Sequence, residues 1–199
     1  MLTLSLTDAL TGLYNRRRFF LLAEQYLKTV SRIKKRFSLL YIDIDGLKGI
    51  NDQYGHNEGD QTLISLATIL KKTFRRSAII ARIGGDEFVV LLELSNENGE
   101  MLITRLYENI RDYNTTGFHR YGLSISMGAA RFDPEHPVSI DELLSKADAL
   151  MYAQKRRAKE ILQRNCKMRA ETRGKNQRPS PSDFLLEQDT NLLIEKKEV

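Results

Sequence analysis

The chain has 199 residues, enough for one domain that buries a substantial core, with residues to spare. Its 41% hydrophobic and 29% charged residues are an ordinary globular balance, and no apolar run approaches the roughly 20 residues that span a bilayer. A single cysteine, Cys166, excludes an internal disulfide and fits a reducing compartment, so a cytoplasmic protein is expected. The N-terminus, MLTLSLTDAL, has no basic n-region and no long apolar core, and does not read as a secretory signal.

The net charge of +5 is unevenly placed. Residues 1–154 balance 19 basic against 19 acidic residues, 155–178 hold 10 basic and 2 acidic, and 179–199 hold 2 basic and 5 acidic. The basic character therefore belongs to one segment. That segment lacks aromatic residues on which bases stack, so nucleic-acid binding is not expected.

In chain order, Phe19, Leu22, Ala23, Tyr26, Leu27, Val30 and Ile33 recur at helical spacing and predict an amphipathic helix over 15–36. FSLLYIDID, 37–45, predicts a strand apolar on both faces, as in the middle of a covered sheet. A second helix is expected over 58–74. Two short strands, 78–83 and 86–92, flank Gly84-Gly85, a hairpin signal whose favoured turns use positive φ. A helix over 100–113 and a strand over 122–131 follow. A last helix, 139–160, opens with a capping box of Ser139 and Glu142. This α-β-α-β-β-α-β-α order predicts an α+β fold with an antiparallel-rich sheet. Residues 1–163 are read as the domain. Residues 164–199 are read as a basic and then acidic disordered tail, most plainly at RGKNQRPSPSD, with the last residues helical only against a partner.

The groups able to do chemistry are carboxylates. Asp43 and Asp45 end an otherwise apolar strand and, two residues apart, point to one face. Asp86 and Glu87 directly follow the hairpin glycines. Each pair alone reads equally as turn-forming acid. Together, a central strand and an adjacent hairpin gather carboxylates that repel unless a cation lies between them. Oxygen-only ligands suit magnesium in phosphoryl transfer. Lys48 and Lys155 can reach a phosphate or be solvated surface charges. The polar stretch 51–60 offers Asn51, His56 and Asp60. An Asn with an Asp can read a guanine edge, whereas His56 lacks zinc-ligand spacing and reads as structural.

Four blocks carry a resemblance: DALTGLYNRRRF at 8–19, DIDGLKGINDQYGHNEGD at 43–60, RIGGDEF at 82–88 and ADALMYAQK at 147–155. In sequence, order and spacing, over residues 8 to about 160, they resemble the GGDEF family of diguanylate cyclases. The resemblance implies a palm-like nucleotidyl-cyclase sheet and the condensation of two GTP into cyclic di-GMP across a homodimer. It implies two Mg2+ per site, with Mn2+ a substitute, held by Asp43, Asp86 and the Ile44 carbonyl. Asp86 would be the catalytic base and Glu87 would complete the signature. Asn51 and Asp60 would bind guanine with His56 nearby, while Lys48, Lys155 and Lys159 would hold phosphates.

The chain departs from the family pattern in places. Gly46 and Leu47 replace larger residues that supply no ligand atoms. Lys159 stands near a usual Arg, as a point charge without its bidentate geometry. The inhibitory Arg-x-x-Asp site keeps Arg75 but has Ala78 for the Asp, so weak product inhibition is expected. Family members usually carry a sensory or dimerising domain first, so the chain is expected to be either a fragment of a longer protein or dependent on a separate regulatory partner. A non-catalytic receptor for GTP or cyclic di-GMP is the competing reading.

Overall fold

A computed structural model describes residues 5–74, 78–93, 98–116 and 121–172. In chain order the elements are β1 (Tyr14–Asn15), α1 (Arg16–Arg32), β2 (Phe37–Ile44), α2 (Leu47–Tyr54), α3 (His56–Thr73), β3 (Ile79–Arg82), β4 (Glu87–Glu93), α4 (Asn98–Thr115), β5 (Ile125–Phe132) and α5 (Ile140–Thr172). The strands form one five-stranded sheet in the order β1-β3-β4-β2-β5. All pairings are antiparallel except the short parallel contact of β1 with β3.

Every residue of β2 is buried, because helices cover both faces of the sheet. On one face Leu40, Ile42 and Ile44 join Phe88, Val90, Met127, α3 residues Leu63, Leu66 and Leu70, and α4 residues Leu106 and Ile110. On the other, Phe37, Leu39 and Tyr41 join Val89, Leu91 and Phe132, Phe19 and Ala23 of α1, and Leu143, Ala147 and Met151 of α5. Odd and even residues of β2 thus serve two cores. This is the two-residue period of a strand buried on both sides, and it confirms the α+β class.

The structure adjusts several boundaries. Helix α1 stops at Arg32, four residues before the expected end, where Lys34 takes φ 51 and turns the chain into β2. The polar stretch expected to precede a helix at 58 is itself helical. Helix α2 buries Leu47 and Ile50 over only eight residues, too few to show a period, and α3 begins at His56. Gly46 at φ 69 and Gly55 at φ 89 make the corners on either side of α2, a conformation costly for most other residues. Strand β5 starts at Ile125 rather than 122. Upstream of it, the Asn114 side chain takes both peptide groups of Leu123, donating to its oxygen at 2.9 Å and accepting from its N–H at 2.8 Å. Helix α5 runs past the expected end at 160 to Thr172, since residues 161–172 contain no Gly or Pro and are rich in good helix formers. The expected disordered stretch RGKNQRPSPSD lies outside the described residues.

Candidate active site

The site begins where β2 leaves the sheet. Asp43 pairs in register with Glu87 on β4 and with Ser126 on β5, which places it between two neighbouring strands. It is 9% exposed. Its Oδ1 accepts a hydrogen bond from the Lys155 ammonium on α5. Burial raises the Asp43 pKa most. Lys155 opposes that rise, and the charges of Asp86 and Asp45 add to it. Burial works against charge on Lys155 as well, yet its pKa is raised, because Asp43, Asp45 and Asp86 all favour the ammonium.

Asp45 and Asp43 share a face, as the strand period requires, but Asp45 is already engaged. Ser124 Oγ donates to one of its oxygens at 2.8 Å and Ser126 Oγ to the other at 2.7 Å. Asp86 comes beside Asp43 through the backbone: the Ile44 N–H donates to the Asp86 carbonyl at 3.2 Å. The strand end thus gathers three carboxylates, with Asp45 held by hydroxyls and Lys155 as counter-charge. Such a donor set fits a hard divalent cation. No group of three His, Cys, Asp or Glu side chains placed to hold a metal ion occurs among the described residues.

The hairpin before β4 differs from the expected two-residue turn. Strand β3 ends at Arg82 and β4 begins at Glu87, so the four residues 83–86 connect them. Neither Gly84 nor Gly85 has positive φ. A Cβ on Gly84 would stand 1.9 Å from Glu87 Oε2, so a larger residue there would displace the Glu87 carboxylate from its present position. Glu87 Oε1 accepts from the Tyr41 hydroxyl at 2.8 Å. Burial, then Glu87 itself, raise the Tyr41 pKa far above its ordinary 10.0 and keep the phenol a neutral donor.

Arg82 fastens the same loop from outside. Its Nε and Nη2 donate to the Gly85 carbonyl at 3.1 and 2.7 Å, and its Nη1 reaches both oxygens of Asp8 at 3.2 and 3.3 Å. Burial alone would raise the Asp8 pKa. Hydrogen bonds from the Thr11 hydroxyl and N–H, together with Arg82, outweigh that and lower it. Reasoning from the residues did not single out Arg82, Asp8, Tyr41, Ser124 or Ser126. The one available signal was a polar residue inside an otherwise apolar strand, which Tyr41 and Arg82 both give.

The remaining expected site residues lie along α2 and α3, which continue from the same strand end. Lys48 is exposed on the first turn of α2. The half-buried Asn51 lays its carboxamide over Gly59, where a Cβ would meet Oδ1 at 1.8 Å. His56 and Asp60 are exposed on the opening turns of α3. Tyr121 pins this corner. Its hydroxyl donates to the Glu58 carbonyl at 3.0 Å, accepts from Thr62 Oγ at 2.9 Å, and its ring lies 5.7 Å from that of Tyr54. Lys159 is exposed one turn beyond Lys155 on α5. Arg75, expected at an inhibitory site, lies outside the described residues. Ala78, where that site would need an Asp, packs against the core.

A covered sheet, antiparallel except for β1, with carboxylates gathered at the end of the interior strand β2 has a palm-like α+β nucleotidyl-cyclase architecture. A family model described as diguanylate cyclase, GGDEF domain, matches residues 5–160, and the chain belongs to that family. An uncharacterised protein of Bacillus subtilis (strain 168), YhcK, is 40% identical over 154 residues, 74% of this chain and 42% of its own length. Diguanylate cyclase DgcP of Escherichia coli (strain K12) is 36% identical over 155 residues, 76% of this chain and 45% of its own. The chain thus spans less than half the length of these two relatives. Among solved structures, the GGDEF domain of DgcB from Caulobacter crescentus in complex with c-di-GMP superposes with a TM-score of 0.68 at 28% identity, covering 76% of this chain and 91% of that one. The GGDEF domain of PA1120 from Pseudomonas aeruginosa gives 0.66 at 33% identity, covering 76% and 89%. No helix of the described residues is long and apolar enough to cross a membrane.

Proposed function

We propose that this chain is a diguanylate cyclase that condenses two GTP into cyclic di-GMP and two pyrophosphates. The observation that carries the reading is the strand end itself. Asp43 is buried with the charges of Asp86 and Asp45 acting on it, and the single Lys155 ammonium balances only part of that negative charge, so the strand end suits a further cation. Family membership supports the reading.

In this account each protomer binds one GTP, and two protomers face each other so that the 3′-hydroxyl of one GTP meets the α-phosphorus of the other. The oxygen–phosphorus bond forms as pyrophosphate leaves in line, and a second such step closes the ring. Asp86 accepts the hydroxyl proton. Lys48, Lys155 and Lys159 balance the triphosphate charge. Asn51 and Asp60 read guanine, with His56 beside them. Asp43, Asp86 and the Ile44 carbonyl hold Mg2+, two ions per site with Mn2+ able to replace them, which supplies charge neutralisation to the phosphates. Glu87 shapes the loop that presents Asp86. Positioning and charge stabilisation make up most of the protein's contribution.

Residues 1–163 form the cyclase domain of this proposal and 164–199 an appendage to it. A separate sensory or regulatory domain controls pairing of the protomers, in keeping with the greater length of the relatives, and the site of action is the cytoplasm. Product inhibition is weak, because Ala78 cannot accept a hydrogen bond from guanine. The test is to incubate purified protein with GTP and Mg2+ and chromatograph the nucleotides. Cyclic di-GMP supports the proposal. Bound but unconverted GTP, at protein concentrations that favour dimers, supports a receptor instead.

A further inference from the structure

We propose that Tyr41 is a positioning residue of this active site, acting through Glu87 to hold the loop that presents Asp86. The inference rests on the cyclase reading above. Tyr41 lies two residues before Asp43 and shares its face of β2. It is 9% exposed, and a phenylalanine would fill the same space, so the hydroxyl is the distinguishing group. That hydroxyl donates to Glu87 Oε1 at 2.8 Å.

The other carboxylate oxygen, Oε2, lies over Gly84. The Glu87 peptide oxygen accepts from the N–H of Ile83 at 2.9 Å and of Gly84 at 3.4 Å. Side chain and backbone of Glu87 therefore both act on the loop of residues 83–86. The far side of that loop is tied to β2 again, by the Ile44 N–H on the Asp86 carbonyl. The loop hangs between two β2 residues, Tyr41 and Ile44, and Asp86 is carried by that suspension. Arg16 on α1 and Asp148 on α5 are the other charged groups that act on the phenol. The residues proposed to read guanine lie on α2 and α3, so Tyr41 affects chemistry more than nucleotide capture.

Two readouts on the folded, full chain test this, with thermal melting confirming that each variant is folded. The first needs no activity: amide hydrogen exchange at Ile83 and Gly84 in nucleotide-free protein. Tyr41→Phe and Glu87→Ala should each speed exchange there by about tenfold, the scale of one lost charge-assisted hydrogen bond. The double variant should be no faster than the faster single one. The second is steady-state kinetics. Tyr41→Phe should lower kcat about tenfold with KM for GTP within about twofold, and should add nothing to Glu87→Ala. Unchanged exchange in Tyr41→Phe, or additive effects of the two substitutions on kcat, would overturn the proposal. A wild type that makes no product while the exchange coupling holds overturns the cyclase reading alone.

Discussion

The two walls of the candidate site are built in opposite ways. On the β2–β4 wall the charged groups are held by other protein groups: Asp43 by Lys155, Asp45 by two serines, Glu87 by Tyr41, and the hairpin by Arg82 and Asp8. On the α2–α3 wall the backbone is pinned by Tyr121, but Lys48, His56 and Asp60 stand exposed. Groups fixed before the substrate arrives cost no reorganisation during reaction. Exposed groups on a fixed backbone find their partners only when a ligand covers them. Under the proposed cyclase function, the difference predicts a division of labour, in which the buried wall governs turnover and the open wall governs which nucleotide is held.

The strongest way to break this division is Asp86→Ala. Turnover should fall at least about 10²–10³-fold, the scale of losing one preorganised electrostatic group. The melting temperature should stay within a few degrees of wild type, because the Asp86 contact with β2 is made by its backbone. A variant that unfolds would show the buried wall to be a structural element first.

The next largest effect belongs to the open wall. Asp60 can accept from the N1–H and amino group of guanine, while adenine would set an acceptor against it. Wild type should favour GTP over ATP by at least about 10²-fold in kcat/KM, since an unpaired polar group discriminates strongly. Asp60→Ala should erase most of that preference and leave the melting temperature alone, because the residue is exposed. Comparable use of both nucleotides by wild type, measured in a mixed reaction, would remove guanine reading from this wall.

A smaller effect comes from pairing. If each protomer supplies half the reactants, specific activity should rise with protein concentration, by several-fold over a dilution series bracketing the dimer dissociation constant. Constant specific activity across such a series would contradict a labile dimer.

The smallest effect is a pH dependence of the hairpin's outer fastening. The Asp8 pKa is lowered from its ordinary 3.8. A carboxylate with a depressed folded-state pKa contributes stability that is present above the unfolded value and is lost as pH falls through the folded one. Stability should therefore decline as the pH falls below about 4, and Asp8→Asn should flatten part of that decline. An identical acid-side profile in both proteins would show that the Arg82–Asp8 pair contributes nothing.

The sequence shows the buried wall's strand plainly and its partners hardly at all. FSLLYIDI reads as a strand covered on both faces because hydrophobic residues occupy both phases of its period, and the buried Asp43 is legible from that alone. Its partner Lys155 is 112 residues away, and Asp8 is 74 residues from Arg82. Distances of that kind are set by topology, which periodicity does not encode. The open wall was obscured for another reason. Helix α2 is too short and polar to show a period, and its corners are made by Gly46 and Gly55, which read as loop composition. The expected Gly-Gly turn differs because four residues connect β3 and β4 and neither glycine takes positive φ; Gly84 instead lies under the Glu87 carboxylate, a contact between side chain and backbone that turn statistics do not contain. The assignment of chemical roles came from the four family blocks and not from the spacing of carboxylates, which alone fits turn-forming acids as well.

The division between the walls is tested most directly by measuring GTP affinity and turnover on the same preparations of wild type, Asp86→Ala and Asp60→Ala, with Mg2+ present. The account predicts that wild type forms cyclic di-GMP, that Asp86→Ala binds GTP within about tenfold of wild type while turnover is lost, and that Asp60→Ala loses affinity and guanine preference together. If Asp86→Ala loses binding and turnover in equal measure, or if wild type binds GTP without forming cyclic di-GMP, the two walls do not divide catalysis from recognition and the account is wrong.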